Sequence, residues 1–94
     1  MELRYCINDF TRLPHIYDHG VTEEEVEWVL SNPEVVWHGN EDSLVAIGRT
    51  AGRKLLKIIY VPDEDGVGAF VITAYRLTRK ELVAHNRYKR KRRK

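Results

Sequence analysis

The sequence predicts an α+β fold: a small antiparallel β-sheet of 3–4 strands, with N-terminal helices before it and a basic C-terminal helix after it. Three observations carry this prediction. Thr22-x-x-Glu25 and Thr78-x-x-Glu81 are both capping boxes, and each is bracketed by an apolar pair, Val21/Val26 and Leu77/Leu82, at staple spacing. Between them lie β-branched runs separated by short turns, the pattern of an antiparallel meander. Charge is also divided unequally along the chain. Residues 1–75 hold 6 Lys/Arg against 13 Asp/Glu, a balance of −7, whereas 76–94 hold 10 against Glu81 alone, a balance of +9.

Taken in order, Leu3, Tyr5 and Ile7 alternate with other residues and read as a weak strand or an extended lead-in. Pro14 suits the start of a short helix and Gly20 its left-handed exit. The next helix spans Glu23 to Ser31. Glu23, Glu24 and Glu25 face the positive end of its dipole, Val26, Val29 and Leu30 form its apolar stripe, and Asn32-Pro33 ends it. Strand segments follow at Val35–His38, Ser43–Arg49, Leu55–Val61 and Ala69–Leu77. The turns between them are Gly39–Asp42, Thr50–Arg53 and Pro62–Gly66. In the final helix, Leu82, Val83, Ala84 and Tyr88 are the expected docking face. Arg79 and Lys80 oppose the dipole in its first turn, at a cost of a few tenths of a kcal/mol each, which points to a role in meeting a partner.

The 94 residues make one domain, placed at 1–88, with 89–94 as a basic tail. No stretch approaches the roughly 20 apolar residues of a membrane helix, so no membrane contact is expected. Charge at Glu2 and Arg4 is unlike a secretory signal. Cys6 stands alone, so it forms no internal disulfide and reads as a small core residue beside Tyr5 and Ile7 rather than as a nucleophile. A reducing, cytoplasmic location is the expectation.

The chemistry-bearing residues fall into three groups. Arg76, Arg79, Lys80, Arg87 and the terminal Lys/Arg run would bind phosphate by counterion release, with Tyr75, His85 and Tyr88 interleaved for stacking on unpaired bases. The competing readings are a solvated tail or an arm for an acidic protein. Arg49, Arg53, Lys54 and Lys57 form a second basic group on the sheet. Lys57 shares a strand face with Leu55 and Ile59, so it must sit either in a solvent-open groove or at the sheet rim. His15, His19, His38 and His85 complete no ligand set with neighbouring acids or cysteine, so neither metal nor other cofactor is expected. His19 and His85 remain as acid–base groups near neutrality. No Ser-His-Asp order and no glycine-rich phosphate loop is present.

Several motifs occur in order: Asp18-His19-Gly20-Val21-Thr22-x-Glu24-Glu25, Pro33, Ala46-Ile47-Gly48, Ile59-Tyr60 and Ile72-Thr73-Ala74-x-x-x-Thr78-Arg79-Lys80-Glu81. This order resembles the BrnT family of type II toxins, within the RelE/ParE-like superfamily, or a closely related uncharacterised family, over roughly Phe10 to Tyr88. The resemblance implies a RelE-like sheet flanked by helices, metal-independent cleavage of RNA, and an antitoxin partner with an acidic or disordered arm. On an endoribonuclease reading, this chain's own candidates are His19, Arg76, His85 and Tyr88 as catalytic residues, with His85 or His19 as the proton-transfer group, and Arg49, Arg53, Lys57, Tyr75, Arg79, Lys80 and Arg87 as RNA-binding residues. The family pattern tends to carry Arg where this chain has Ser43, Tyr75 and Leu82, and Tyr where it has His85. A non-catalytic nucleic-acid-binding or protein-interaction module of the same fold is therefore the alternative.

Overall fold

A computed structural model describes residues 2–92. The elements are β1 (Glu2–Tyr5), a 3-10 helix (His15–His19), α1 (Glu23–Ser31), β2 (Val35–His38), β3 (Leu44–Arg49), β4 (Leu55–Pro62), β5 (Gly68–Arg76) and α2 (Arg79–Arg92). Both capping boxes form. The Thr22 hydroxyl accepts from the Glu25 N–H at 3.1 Å and the Glu25 carboxylate accepts from the Thr22 N–H at 3.0 Å. The matching pair at Thr78 and Glu81 measures 3.2 and 3.0 Å. Gly20 closes the 3-10 helix at φ +70°, a left-handed conformation that glycine adopts without a Cβ penalty.

β2 to β5 form the expected antiparallel meander, but the sheet has five strands and is mixed, in the order β1-β5-β4-β3-β2. This corrects the expectation of three to four antiparallel strands. β1 pairs in parallel with β5, Leu3 opposite Ala69 and Tyr5 opposite Val71. A four-residue strand whose partner lies near the other end of the chain leaves little local signal, because alternation reports a face but not a neighbour.

One face of the sheet carries the core. Successive residues of β4 point to opposite sides, so Leu56 and Ile58 turn toward α1 and the 3-10 helix. There they join Ile16, Val21, Val26, Val29, Leu30, Ala46, Val71 and Ala74. Gly48 lets α1 end close against β3, since a Cβ there would lie 3.0 Å from the Val29 side chain and 3.2 Å from the Asn32 carbonyl. A β-bulge at Ile59/Tyr60 shifts the β4–β5 register, pairing Ile59 with Thr73 but Tyr60 with Val71.

α2 lies across the opposite face and differs from expectation in two respects. It continues unbroken through Lys89 to Arg92, so most of the segment assigned to a tail is helical; Arg93 and Lys94 lie outside the described residues. It also docks by a stripe that overlaps the expected one only in part. Leu82 and Val83 are 37% and 50% exposed, Glu81 and His85 turn inward, and Ala84 and Tyr88 line the cleft while remaining exposed, Tyr88 at 39%.

Candidate functional site

The sheet face beneath α2 is built from rows that cross the strands. Val35, Ile47, Lys57 and Tyr75 are mutual register partners in one row, and Trp37, Val45, Ile59 and Thr73 in the next. Lys57 therefore lies on the central strand and not at the rim. Its ammonium donates to Glu81 of α2 at 2.9 Å and sits 6.0 Å from the Trp37 ring centroid and 5.9 Å from that of Tyr75. A cation within about 6 Å of an aromatic ring is attracted by its quadrupole. The hydrogen bond to Glu81 holds the Lys57 pKa above its ordinary value against partial desolvation, with Tyr75 helping. Lys57 is thus a fixed ammonium between two rings, with 22% of its side chain exposed.

A second cluster fastens α2. Glu34, just before β2, takes His85 Nε2 at 3.0 Å, Lys89 Nζ at 3.1 Å and Arg49 Nε at 3.4 Å. Desolvation pushes the Glu34 carboxyl upward, but the hydrogen bonds from His85 and Lys89 and the charge of Arg49 outweigh it, and its pKa is lowered. Glu81, His85 and Lys89 stand at i, i+4 spacing, so one face of α2 meets the body through ionic contacts. Between that stripe and β2–β3 runs a cleft of about 470 Å³ lined by Val35, Val36, Trp37, Ile47, Ala84 and Tyr88.

This fastening gives α2 a pH dependence. The Glu81 carboxyl is lowered chiefly by the backbone hydrogen bond from Thr78, with Lys57 adding to it against desolvation, and Glu34 is lowered as described. A depressed carboxyl stabilises the folded form above its unfolded pKa, and the contribution disappears as pH falls through the folded value. Hydrogen exchange should therefore show α2 amide protection intact at neutral pH and lost progressively below the ordinary carboxylate value of 4.5, with the β3–β5 amides still protected. Simultaneous loss across helix and sheet would refute an independent release of α2.

The third cluster sits at the open half of β5, beyond its pairing with β1. The His19 ring lies 5.9 Å from the Tyr75 ring, and His19, Thr73, Tyr75 and Arg76 line one shallow pocket. His19, Tyr75 and Lys57 thus succeed one another across the sheet, with Trp37 on the far side of Lys57.

The residues singled out from sequence divide accordingly. His19, Tyr75 and Arg76 share one pocket, and Lys57 adjoins Tyr75 on the open face. His85 is buried, its side chain 3% exposed, and is engaged by Glu34, in a different cluster from His19. Tyr88 lines the cleft. Arg49 is bound to Glu34, and Arg53 is exposed in the β3–β4 turn at φ +68°. Arg79, Lys80 and Arg87 are exposed on α2. Sequence reasoning missed Trp37, Glu34 and Glu81 as site residues. Trp37 alternates with Val35 like a core residue, and Glu81 is already explained by its capping box. The partners of Glu34 are distant in sequence. Among the described residues, no group of three or more His, Cys, Asp or Glu side chains is placed to hold a metal ion.

No protein-family model, no curated protein and no solved structure matches this chain. Within the described residues, no helix is long and apolar enough to cross a membrane. The structure defines a small α+β protein with one open, cationic and aromatic sheet face partly roofed by a basic helix.

Proposed function

We propose that this chain is a toxin-like RNA-binding protein of RelE-like fold that cleaves RNA without a metal, as the catalytic partner in a cytoplasmic type II toxin–antitoxin pair. The observation that carries the reading is Lys57, a fixed ammonium on an open sheet face between two aromatic rings, with His19 and Arg76 lining the adjoining pocket.

These groups suit a transphosphorylation. The ribose 2′-oxygen attacks phosphorus, the bond to the 5′-oxygen breaks, and the products are a 2′,3′-cyclic phosphate and a 5′-hydroxyl. His19 takes the 2′-hydroxyl proton, and the resulting imidazolium returns a proton to the departing 5′-oxygen. Arg76 and Lys57 stabilise the charge that builds on the phosphoryl oxygens. The exposed cations of α2, Arg79, Lys80 and Arg87, draw the RNA backbone toward the face. The same basic surface suits the acidic or disordered arm of an antitoxin.

Purified protein incubated with mixed RNA in EDTA should release fragments ending in 2′,3′-cyclic phosphate. His19→Ala should lower that rate by about 10²–10⁴-fold while leaving RNA binding in place. Intact RNA at high protein concentration would sink the cleavage reading. Salt-sensitive binding without cleavage would leave a binding module, a second reading favoured by the grip of Glu81 on Lys57. Binding of neither RNA nor DNA at low salt would leave a protein-docking role.

A further inference from the structure

Trp37 is the large side chain on this face that neither the capping motifs nor the charge pattern explains. It lies on β2, the last strand of the sheet, with 40% of its surface exposed. Tyr75 is the register partner of Lys57 and lies on the other side of the ammonium. Trp37 rises from β2 and Tyr75 from β5, three strand steps or roughly 14 Å apart at about 4.8 Å per step, and their ring centroids lie 6.0 and 5.9 Å from the same nitrogen on either side of it. Successive bases within a helical strand are spaced by roughly 3.4 Å. A stacked pair of bases in a duplex therefore cannot lie on both rings, whereas splayed bases of a flexible single strand can, with the phosphate between them on the ammonium.

We propose that Trp37 and Tyr75 are twin stacking platforms of a single-strand-specific site, each taking one base of a nucleotide step whose phosphate rests on Lys57. The inference depends on the RNA-binding reading and adds the form of the ligand: an unpaired step with its bases turned apart. It also makes Trp37 a specificity-determining residue. The ring frame requires no particular hydrogen-bonding edge, so the site discriminates by strandedness more than by base identity.

The test uses the full chain, a fluorescein-labelled single-stranded octaribonucleotide and the duplex it forms with its complement, read by anisotropy at low salt. Trp37→Leu and Tyr75→Leu keep apolar bulk on the sheet, and circular dichroism and thermal melting check that each variant folds. Each should weaken single-strand binding by about tenfold or more, the scale of losing one base–aromatic stack, while leaving the salt slope and duplex binding unchanged. Lys57→Ala should instead flatten the salt slope by about one phosphate.

A second readout leaves Trp37 in place. In a Trp28→Phe background Trp37 is the sole indole, and its fluorescence should be quenched by the single strand and not by the duplex. Wild-type affinity in folded Trp37→Leu and Tyr75→Leu, with Lys57→Ala still impaired, would overturn the twin platforms and leave the RNA reading standing. Equal affinity for duplex and single strand would do the same. No RNA binding by the wild-type protein would remove both.

Discussion

Replacing Lys57 with alanine is expected to lower RNA cleavage by about 10²–10³-fold, the usual effect of removing one preorganised charge from the phosphoryl oxygens. Two further consequences follow from where Lys57 sits. Its ammonium is the partner of a Glu81 carboxylate that is itself partly shielded, with 28% of its side chain exposed. Removing the cation leaves that carboxylate short of a partner, so α2 should also loosen. The two effects separate in the double variant Lys57→Ala/Glu81→Gln. Glutamine keeps the capping-box hydrogen bond to the Thr78 N–H and carries no charge, so helix protection should recover while cleavage stays low. Hydrogen exchange on α2 together with a fluorogenic RNA assay reads both. Recovery of cleavage in the double variant would show that Lys57 acts only through Glu81. In Glu81→Gln alone Lys57 is freed, so RNA binding should tighten; unchanged affinity would mean that the carboxylate does not compete with phosphate.

The largest stability effect is expected at Ile58→Ala, a loss of about 4 kcal/mol, in the upper half of the range for burying an alanine in place of isoleucine. The register explains why the cost should be high. Ile58 lies between Ala46 on β3 and Ala74 on β5, and all three are fully buried. A single branched side chain therefore fills the space that two neighbouring strands leave beneath α1. Alanine there would place three alanines side by side, and rigid strands cannot draw together to close the gap. For a domain stabilised by roughly 5–15 kcal/mol, this is a large part of the total. Ile58→Val should cost only about 0.5–1.5 kcal/mol. Urea unfolding measures both, and a loss under about 2 kcal/mol for the alanine variant would mean that the helix collapses onto the sheet.

Much of the fold was legible because its signals are local. The Thr22/Glu25 and Thr78/Glu81 boxes set both helix starts, and Asn32-Pro33 set the end of α1 at Ser31. Gly20 marked the exit of the 3-10 helix. β1 was legible only weakly, because its pairing with Gly68–Val71 is a property of two distant segments. The end of α2 was misplaced for a similar reason. A run of like charges disfavours an isolated helix, yet Lys89 finds the Glu34 carboxylate and the helix persists through it. Half of the expected docking face of α2 holds, since Ala84 and Tyr88 line the cleft, whereas Leu82 and Val83 stay exposed. The body meets the helix with Lys57 and Glu34, and so selects Glu81, His85 and Lys89.

The same distinction runs through the site. Residue type alone brought Lys57, Tyr75, His19 and Arg76 into consideration, since each carries the charge, ring or imidazole that phosphate chemistry uses. Sequence also showed that Lys57 interrupts an apolar run and needs either solvent or a partner. Only the tertiary structure decided which. Strand register sets Lys57 beside Tyr75 and near Trp37, and the first turn of α2 carries Glu81 to the ammonium. Capping, turns and alternation act over a few residues and are written in the chain. The pairing of strands, the helix face that meets the sheet and the choice of counter-ion depend on which distant groups arrive together, and the burial of the whole domain settles them.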